Sequence, residues 1–226
     1  MQQRMIPLLT PQGLKKLNQS HVCVFGVGGV GGFVVEALAR SCVKYITIVD
    51  FDIINESNLN RQIIALHSTL GRKKVEVMKE RILDINKDCI VEALDLFVNE
   101  ESIKKIDFSQ FDYVIDCVDN VTAKINIIQT AKNQNIKIIS SMGTGNKLNP
   151  LLFQIKDISK TTVCPLARVM RYELKKRGIK DVKVLFSTEE PIKSPDFIAS
   201  VAFVPSVAGL LIAREVILDL TINDTM

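Results

Sequence analysis

The chain has 226 residues, the length of one α/β domain, and its hydrophobic fraction of 47% and charged fraction of 24% are those of a globular protein. With 11 Gly and 7 Pro and no biased tracts, disordered, collagen-like and low-complexity classes are excluded. A formal charge of +4 permits a polyanionic partner without demanding one.

Met1–Gly13 lacks the unbroken apolar core and small-residue cleavage site of a signal peptide. His21–Gly26 (HVCVFG) is predicted as a buried strand, followed by a helix from Gly29 to Ser41. Tyr45–Asp50 (YITIVD) is a second strand, and a polar, Asn-rich loop follows. In Gly71–Asn86 the residues Val75, Met78, Ile82 and Ile85 share one face of a helix. Ile90–Phe97 and Tyr113–Asp116 are the third and fourth strands, Asn120–Gln134 a helix and Ile136–Ser141 the fifth strand. This alternation predicts a doubly wound, Rossmann-like, mostly parallel sheet with helices on both faces. Beyond Pro150 the pattern loosens, with an antiparallel extension in the C-terminal half: Leu151–Ile155 is expected as an antiparallel strand, Pro165–Arg177 as a helix, Val182–Ser187 as a strand and Ser206–Leu218 as a helix. Phe197–Ala213 carries no charge, but Pro205 breaks it and Ser200 and Ser206 dilute it. A strand, a turn at Pro205 and a buried helix fit it better than a membrane span. No repeat or linker is visible, so residues 1–226 read as a single domain.

The first strand ends in Gly26-Val-Gly28-Gly29-Val-Gly31. Glycines there let the backbone turn tightly and approach a phosphate, while the helix start offers N–H groups and a positive dipole end. Asp50 follows Gly31 by 19 residues, at the end of strand two, where a carboxylate accepts hydrogen bonds from ribose hydroxyls. Alone, this pattern fits NAD, FAD or ATP. Ser57-Asn58-Leu59-Asn60-Arg61, the helix opening Gly71-Arg-Lys-Lys74 and Asp116-Cys-Val-Asp119-Asn120 tilt the choice to ATP. A triphosphate under cleavage needs cations such as Arg61 and Lys74 against the charge growing on pyrophosphate. A carboxylate such as Asp119 suits Mg²⁺, which takes one or two carboxylates plus phosphate oxygens. The acidic groups at 116 and 119 are both expected in the strand-end crevice.

GVGGVG, VDFD, SNLNRQ, GRKKVEV and DCVDN together resemble the ThiF/MoeB/ubiquitin-activating superfamily of ATP-dependent adenylating enzymes, across most of the first 145 residues. The resemblance implies activation of a carboxylate as an acyl-adenylate. It implies a nucleotide site made of Gly29, Asp50, Ser57, Asn58, Leu59, Asn60, Arg61, Lys74, Asp119 and Asn120, alongside Gly26, Gly28 and Gly31 of the turn. Arg61, Lys74 and Asp119 carry the chemistry, with Asp119 serving Mg²⁺. About 20–145 is then the ATP-binding half and about 146–226 the substrate and dimer half.

Members that adenylate sulfur-carrier proteins usually carry two CxxC zinc pairs. Here the five Cys, at 23, 42, 89, 117 and 164, form no CxxC, so neither structural zinc nor a disulfide framework is supported, and a reducing cytoplasm fits. Instead MGTGNKLNP (142–150), the segment 162–191 and SVAFVPSVAGLLIAREVI (200–217) look like the tRNA threonylcarbamoyladenosine dehydratases. That resemblance implies a homodimer acting on tRNA that carries threonylcarbamoyladenosine at position 37, and it leaves a monovalent cation open. The threonyl carboxylate is adenylated by ATP, and the neighbouring carbamoyl group closes a ring and expels AMP. The family's RFxR-like N-terminal segment is reduced here to Met1-Gln-Gln-Arg4, with Arg4 the candidate to reach a partner's ATP.

Cys164 precedes Pro165, so it is expected at a helix N-cap with its thiol pKa lowered; an incidental, structural role is favoured over a catalytic thiolate. Cys23, Cys42, Cys89 and Cys117 read as core, and His21 and His67 as structural. Arg168, Arg171, Lys175, Lys176, Arg177, Lys180 and Lys183 form the densest basic run, and the first five are the candidates for tRNA phosphates, against an ordinary solvated face. Rival functions are an adenylyltransferase acting on a ubiquitin-like or sulfur-carrier C-terminus, an NAD(P) oxidoreductase and a non-catalytic nucleotide-binding subunit.

Overall fold

The computed structural model describes residues 2–193 and 197–222; Met1, part of the N-terminal segment read above, lies outside them. Seven strands form one sheet: β1 His21–Phe25, β2 Tyr45–Asp50, β3 Ile90–Asp95, β4 Tyr113–Asp116, β5 Lys137–Ser141, β6 Phe153–Asp157 and β7 Lys183–Ser187. Their order is β3-β2-β1-β4-β5-β7-β6. All neighbours are parallel except β6, which runs antiparallel to β7 from Phe153↔Ser187 to Asp157↔Lys183. Both β1 and β4 are almost wholly buried, β1 through Val22–Phe25 and β4 through all of Tyr113–Asp116, because helices cover both sides of them. The edge strand β3 alternates between half-buried and exposed residues.

Six α-helices surround the sheet: α1 Ile6–Leu17, α2 Gly31–Arg40, α3 Lys74–Ile85, α4 Val121–Asn133, α5 Pro165–Lys176 and α6 Phe203–Thr221. Alternate strand residues point to opposite faces. Val22, Val24, Ile46, Ile48 and Ile115 meet α1, α2, α3 and α6, while Cys23, Phe25, Val114 and Val184 meet α4 and α5. The long helix α6 lies so close to α2 that a Cβ on Gly209 would stand 2.4 Å from the Val30 carbonyl oxygen. Its C-terminal end is tied to the sheet through Asp219, which accepts from the Tyr113 hydroxyl at 2.8 Å and from Lys183 Nζ at 2.6 Å.

Several expectations need correction. The strand expected ahead of Pro205 is absent among the described residues; α6 instead starts at Phe203 and takes Pro205 into its first turn, where the missing N–H had no helical acceptor anyway. No helix among the described residues is long and apolar enough to cross a membrane. The antiparallel strand begins at Phe153 rather than Leu151, because Asn149 accepts from the Leu151 N–H and starts a 3₁₀ turn over Pro150–Leu152. Helix α1 was not foreseen at all. It is two helical stretches joined at Thr10 (φ 60°), whose hydroxyl accepts from the Gly13 N–H at 3.2 Å and starts the second stretch at Pro11.

Under the sheet's C-terminal edge, Lys124 of α4 inserts between β4 and β5. Its Nζ donates to Asp116 Oδ2 at 2.9 Å, Ser140 Oγ at 3.2 Å and the Ser141 carbonyl at 2.7 Å, and both ionic side chains are 0% exposed. Removing one partner of such a pair strands a buried charge at a cost of about 3–5 kcal/mol. Lys124→Met should lose that much stability in urea titration, and Asp116→Asn added to it should recover part. A loss below about 1 kcal/mol would show that the cluster does not fasten these elements.

Candidate nucleotide-binding and active site

The chain starts in the middle of the sheet at β1, winds outward to β2 and β3, and returns to the other side of β1 at β4. A crevice opens at the C-terminal ends of β1 and β4, where the winding reverses. An open cleft of about 590 Å³ occupies that place. Gly26 turns the chain out of β1 with φ +85°, and a Cβ there would lie 2.9 Å from the Cys117 carbonyl, so backbone strain and space both demand glycine. Gly28, Gly29 and Val30 line the cleft, and no side chain caps the start of α2. An uncapped helix start beside a cleft is an anion site in waiting. Gly31 does not line the cleft; a Cβ there would sit 1.8 Å from the Gly26 carbonyl oxygen, so its work is to let α2 close onto the turn.

Asp50 ends β2 in the cleft wall. Its carboxylate accepts from the Val27 N–H at 2.7 Å and the Asp52 N–H at 2.9 Å, which fixes both oxygens and leaves further lone pairs for ribose hydroxyls. Past Asp50 the chain makes a long excursion and returns: Ile53 pairs with Lys73 in an antiparallel bridge, and the Lys74 N–H donates to the Asp52 carbonyl at 3.0 Å. The return delivers Lys74, buried at the first turn of α3, into the cleft with its Nζ 2.8 Å from Asp52 Oδ2.

Within the excursion, Asn58 Oδ1 accepts from the Asn55 N–H at 3.0 Å and shapes a 3₁₀ turn at Glu56–Asn58. Arg61 reaches the cleft with its guanidinium held by the Ser57 carbonyl at 2.7 Å and Asn60 Oδ1 at 3.0 Å. Asn60 also donates to the Ser200 carbonyl at 2.9 Å, and Leu59 packs on the core. Ser57, Leu59 and Asn60 therefore hold the loop rather than line the cleft. Gln62 does line it, and its buried Oε1 has no hydrogen-bond partner among the described residues, a vacancy that suits a donor on a bound molecule.

On the β4 side, Asp116 is fully buried under Lys124 and Ser140, which corrects its expected place in the crevice. Asp119 does line the cleft, exposed and without a hydrogen bond or ion pair among the described residues. Asn120, beside it, caps α4 by accepting from the Ala123 N–H at 3.0 Å. No cluster of three or more His, Cys, Asp or Glu is grouped for a metal among the described residues. Asp119 alone therefore fits a divalent ion that arrives with phosphate oxygens. Cys117, expected in the core, is half-buried at the cleft wall. Cys164 sits at the N-cap of α5 as expected, but its thiol makes no cap bond and is buried against the cleft. Arg4 is exposed on the N-terminal 3₁₀ turn and does not line the cleft of its own chain.

The loop that leaves β5 contributes Thr144, Asn146 and Lys147, which residue-type reasoning did not single out. The basic run divides. Arg168, Lys175 and Lys176 are exposed on α5, together with Tyr172. Arg171 instead turns back to donate to the Thr161 carbonyl at 2.7 Å and its hydroxyl at 2.6 Å, and Arg177 pairs with Glu173 one turn earlier.

The ThiF family matches residues 1–223. A tRNA threonylcarbamoyladenosine dehydratase of Bacillus subtilis is 46% identical over 230 residues, covering 92% of this chain and 90% of its own length. The Escherichia coli enzyme of that name, solved with ATP, superimposes with a TM-score of 0.92 at 31% identity over 98% of this chain and 93% of its own. Its AMP complex superimposes with the same TM-score of 0.92. A molybdopterin-synthase adenylyltransferase of Haemophilus influenzae is 32% identical over 57% of this chain and 52% of its own length. Fold and sequence agree, and the chain belongs to the ThiF family, alongside its tRNA threonylcarbamoyladenosine dehydratases.

Proposed function

We propose that the chain is an ATP-dependent tRNA threonylcarbamoyladenosine dehydratase, working as a single domain with its nucleotide half at about 20–145 and its substrate half at about 146–226. The observation that carries this reading is the convergence of an uncapped glycine turn, Asp50, Arg61, Lys74 and an unpaired Asp119 on one strand-end cleft. The threonyl carboxylate of the modified adenosine at tRNA position 37 attacks the α-phosphorus of ATP and expels pyrophosphate. The adjacent carbamoyl group then attacks the activated carbonyl, closes the ring and expels AMP, so that one water is lost overall. Gly26, Gly28 and Gly29 let the phosphates approach, Asp50 receives the ribose, Arg61 and Lys74 neutralise the departing charge, and the Asn58 amide offers a hydrogen bond beside them. Mg²⁺ held by Asp119 would add positive charge at the phosphates, and Asn120 fixes the start of α4 beside it.

The reading extends to a homodimer in the cytoplasm, with a monovalent cation left open. Exposed Phe203 and Leu210 on α6 suit an isologous apolar contact. A protein-carrier adenylyltransferase is disfavoured by its shorter match, which covers 57% of this chain against 92% for the Bacillus subtilis dehydratase. Mass spectrometry of tRNA nucleosides after incubation with ATP tests the reading: threonylcarbamoyladenosine should lose one water, and its persistence would refute the assignment.

Three outcomes follow from the site. Lys74→Ala and Asp119→Ala should each slow dehydration about 10²- to 10³-fold while folding normally, because Asp52 and the 119 position both face solvent. Near-normal rates in both would mean that the phosphates bind elsewhere. Since the substrate carries its own nucleophile, no enzyme thiolate is needed. Burial pushes the Cys23, Cys42 and Cys117 thiols above their ordinary pKa, with Asp116 adding to the rise at Cys117, and burial lifts Cys89 to about 11. Cys164→Ser should therefore retain most activity; a folded but inactive protein that traps a thioester would overturn direct cyclisation.

Of the basic run, Arg168, Lys175 and Lys176 remain the candidates for tRNA phosphates, while Arg171 and Arg177 shape the helix and its surroundings. Lys175→Glu with Lys176→Glu should flatten the salt dependence of tRNA affinity by about one unit of slope per lost contact and leave ATP affinity alone. An unchanged slope would make this an ordinary solvated face.

A further inference from the structure

We propose that Lys147 binds the carboxylate of the substrate, because it is a buried lysine with no carboxylate partner among the described residues and it lines the cleft on the wall opposite the phosphate-side cations; this rests on the dehydratase reading. Lys147 is 4% exposed. Its Nζ has three protons to donate and one acceptor among the described residues, the Glu189 carbonyl at 3.1 Å. The neighbouring Glu189 carboxylate is spent elsewhere: its two oxygens accept from the Leu148 and Asn149 N–H groups, each at 2.9 Å. An ammonium in this setting has lost most of its water and has no carboxylate counterion among the described residues.

The backbone beside it is anchored. Asn146, at φ 58°, donates through its N–H to the Ala199 carbonyl at 2.7 Å and accepts from the Ala199 N–H through Oδ1 at 2.6 Å. Its carbonyl accepts from the Ile192 N–H at 2.8 Å. A Cβ on Gly145 would stand 2.2 Å from Ile198 Cγ2, so the loop is also packed tightly from outside.

The location selects the ligand. The loop leaves β5, whereas Lys74 and Arg61 arrive from the excursion beyond β2, and β1 and β4 lie between the two in the sheet. Adenylation brings a carboxylate up to phosphates of the same sign, so that carboxylate needs its own cation on the far side from the triphosphate. One ammonium matches one carboxylate. After adenylation the same group faces the acyl carbonyl oxygen, which gains negative charge as the carbamoyl nitrogen attacks.

The test compares anticodon stem-loop RNA carrying threonylcarbamoyladenosine with the same RNA carrying its methyl ester, binding to wild type, Lys147→Met and Lys147→Arg without ATP. Wild type should bind the acid roughly tenfold to a hundredfold more tightly than the ester, the range of a charge-assisted hydrogen bond. Lys147→Met should bind both as weakly as wild type binds the ester, with ATP affinity and thermal midpoint unchanged, and Lys147→Arg should restore part of the preference. Equal binding of acid and ester by wild type would overturn the proposal, as would a preference that survives in Lys147→Met. Parallel loss of ATP affinity and thermal stability in Lys147→Met would assign the residue to loop structure instead. Failure of the dehydratase reading is seen separately, as absence of water loss from the acid substrate in wild type with ATP.

Discussion

Burying an ammonium group is costly in a small α/β fold, and this chain does it three times around one cleft: Lys124 is 0% exposed, Lys147 4% and Lys74 5%. The three differ in how their charge is answered. Lys124 has a carboxylate, a hydroxyl and a carbonyl, so its donors are filled from within. It therefore acts as a fixed pin that sets where the chain leaves β4 and β5. Lys74 has Asp52, a partner that is itself 46% exposed and able to exchange toward water or another ion. Lys147 has a single backbone carbonyl. Neutralisation thus falls from the floor of the cleft to its walls, and the residues left under-neutralised are those that face the cavity.

What the sequence made legible was whatever local pattern encodes. The runs HVCVF and YITIVD are mostly apolar because β1 and β2 are covered on both faces, and the glycine turn after β1 shows directly in residue type. The return of Lys74 toward Asp50 was legible only through recognised motifs, since the bridge from Ile53 to Lys73 depends on a loop whose path no periodicity records. Asp116 and Asp119 look equivalent in DCVDN, yet one points down to Lys124 and the other lies exposed past the strand end. Their difference lies in Lys124, which sequence reading saw only as one more helix residue. In α1, Pro7 and Pro11 masked a helix because each sits in the first turn of a stretch, divided at Thr10. Lys147 and Gln62 were passed over because how a buried polar group is answered, by one carbonyl for Lys147 and by no described residue for Gln62 Oε1, is a tertiary property.

The reaction asks little of the protein in bond-making and much in electrostatics. Nucleophile, activated carbonyl and leaving group all belong to bound molecules, so holding them close supplies much of the acceleration. The cysteines agree with that division of labour. A catalytic thiol is normally favoured as thiolate by cations or a helix start, whereas Cys117 at the cleft wall is pushed the other way, by burial and by the Asp116 carboxylate next to it in the chain.

The sheet order explains why the wall that carries Lys147 and the wall that carries the glycine turn remain distinct within one cleft. The C-terminal half does not form a separate sheet: β7 adds in parallel beside β5, and β6 closes the edge antiparallel to β7. Parallel addition puts the ends of β5 and β7 on the same rim. The turn after β5 and Glu189, just beyond β7, therefore meet, and the Glu189 carboxylate gathers the Leu148 and Asn149 N–H groups. An antiparallel β7 would have sent Glu189 to the opposite rim and left those groups unbonded. The direction of one strand thus builds the turn that presents Lys147, while β1 and β2, across β4, present the glycine turn and Asp50. Two chemically different walls arise from one repeated βα geometry because the strands flanking the crevice run the same way and carry different loops.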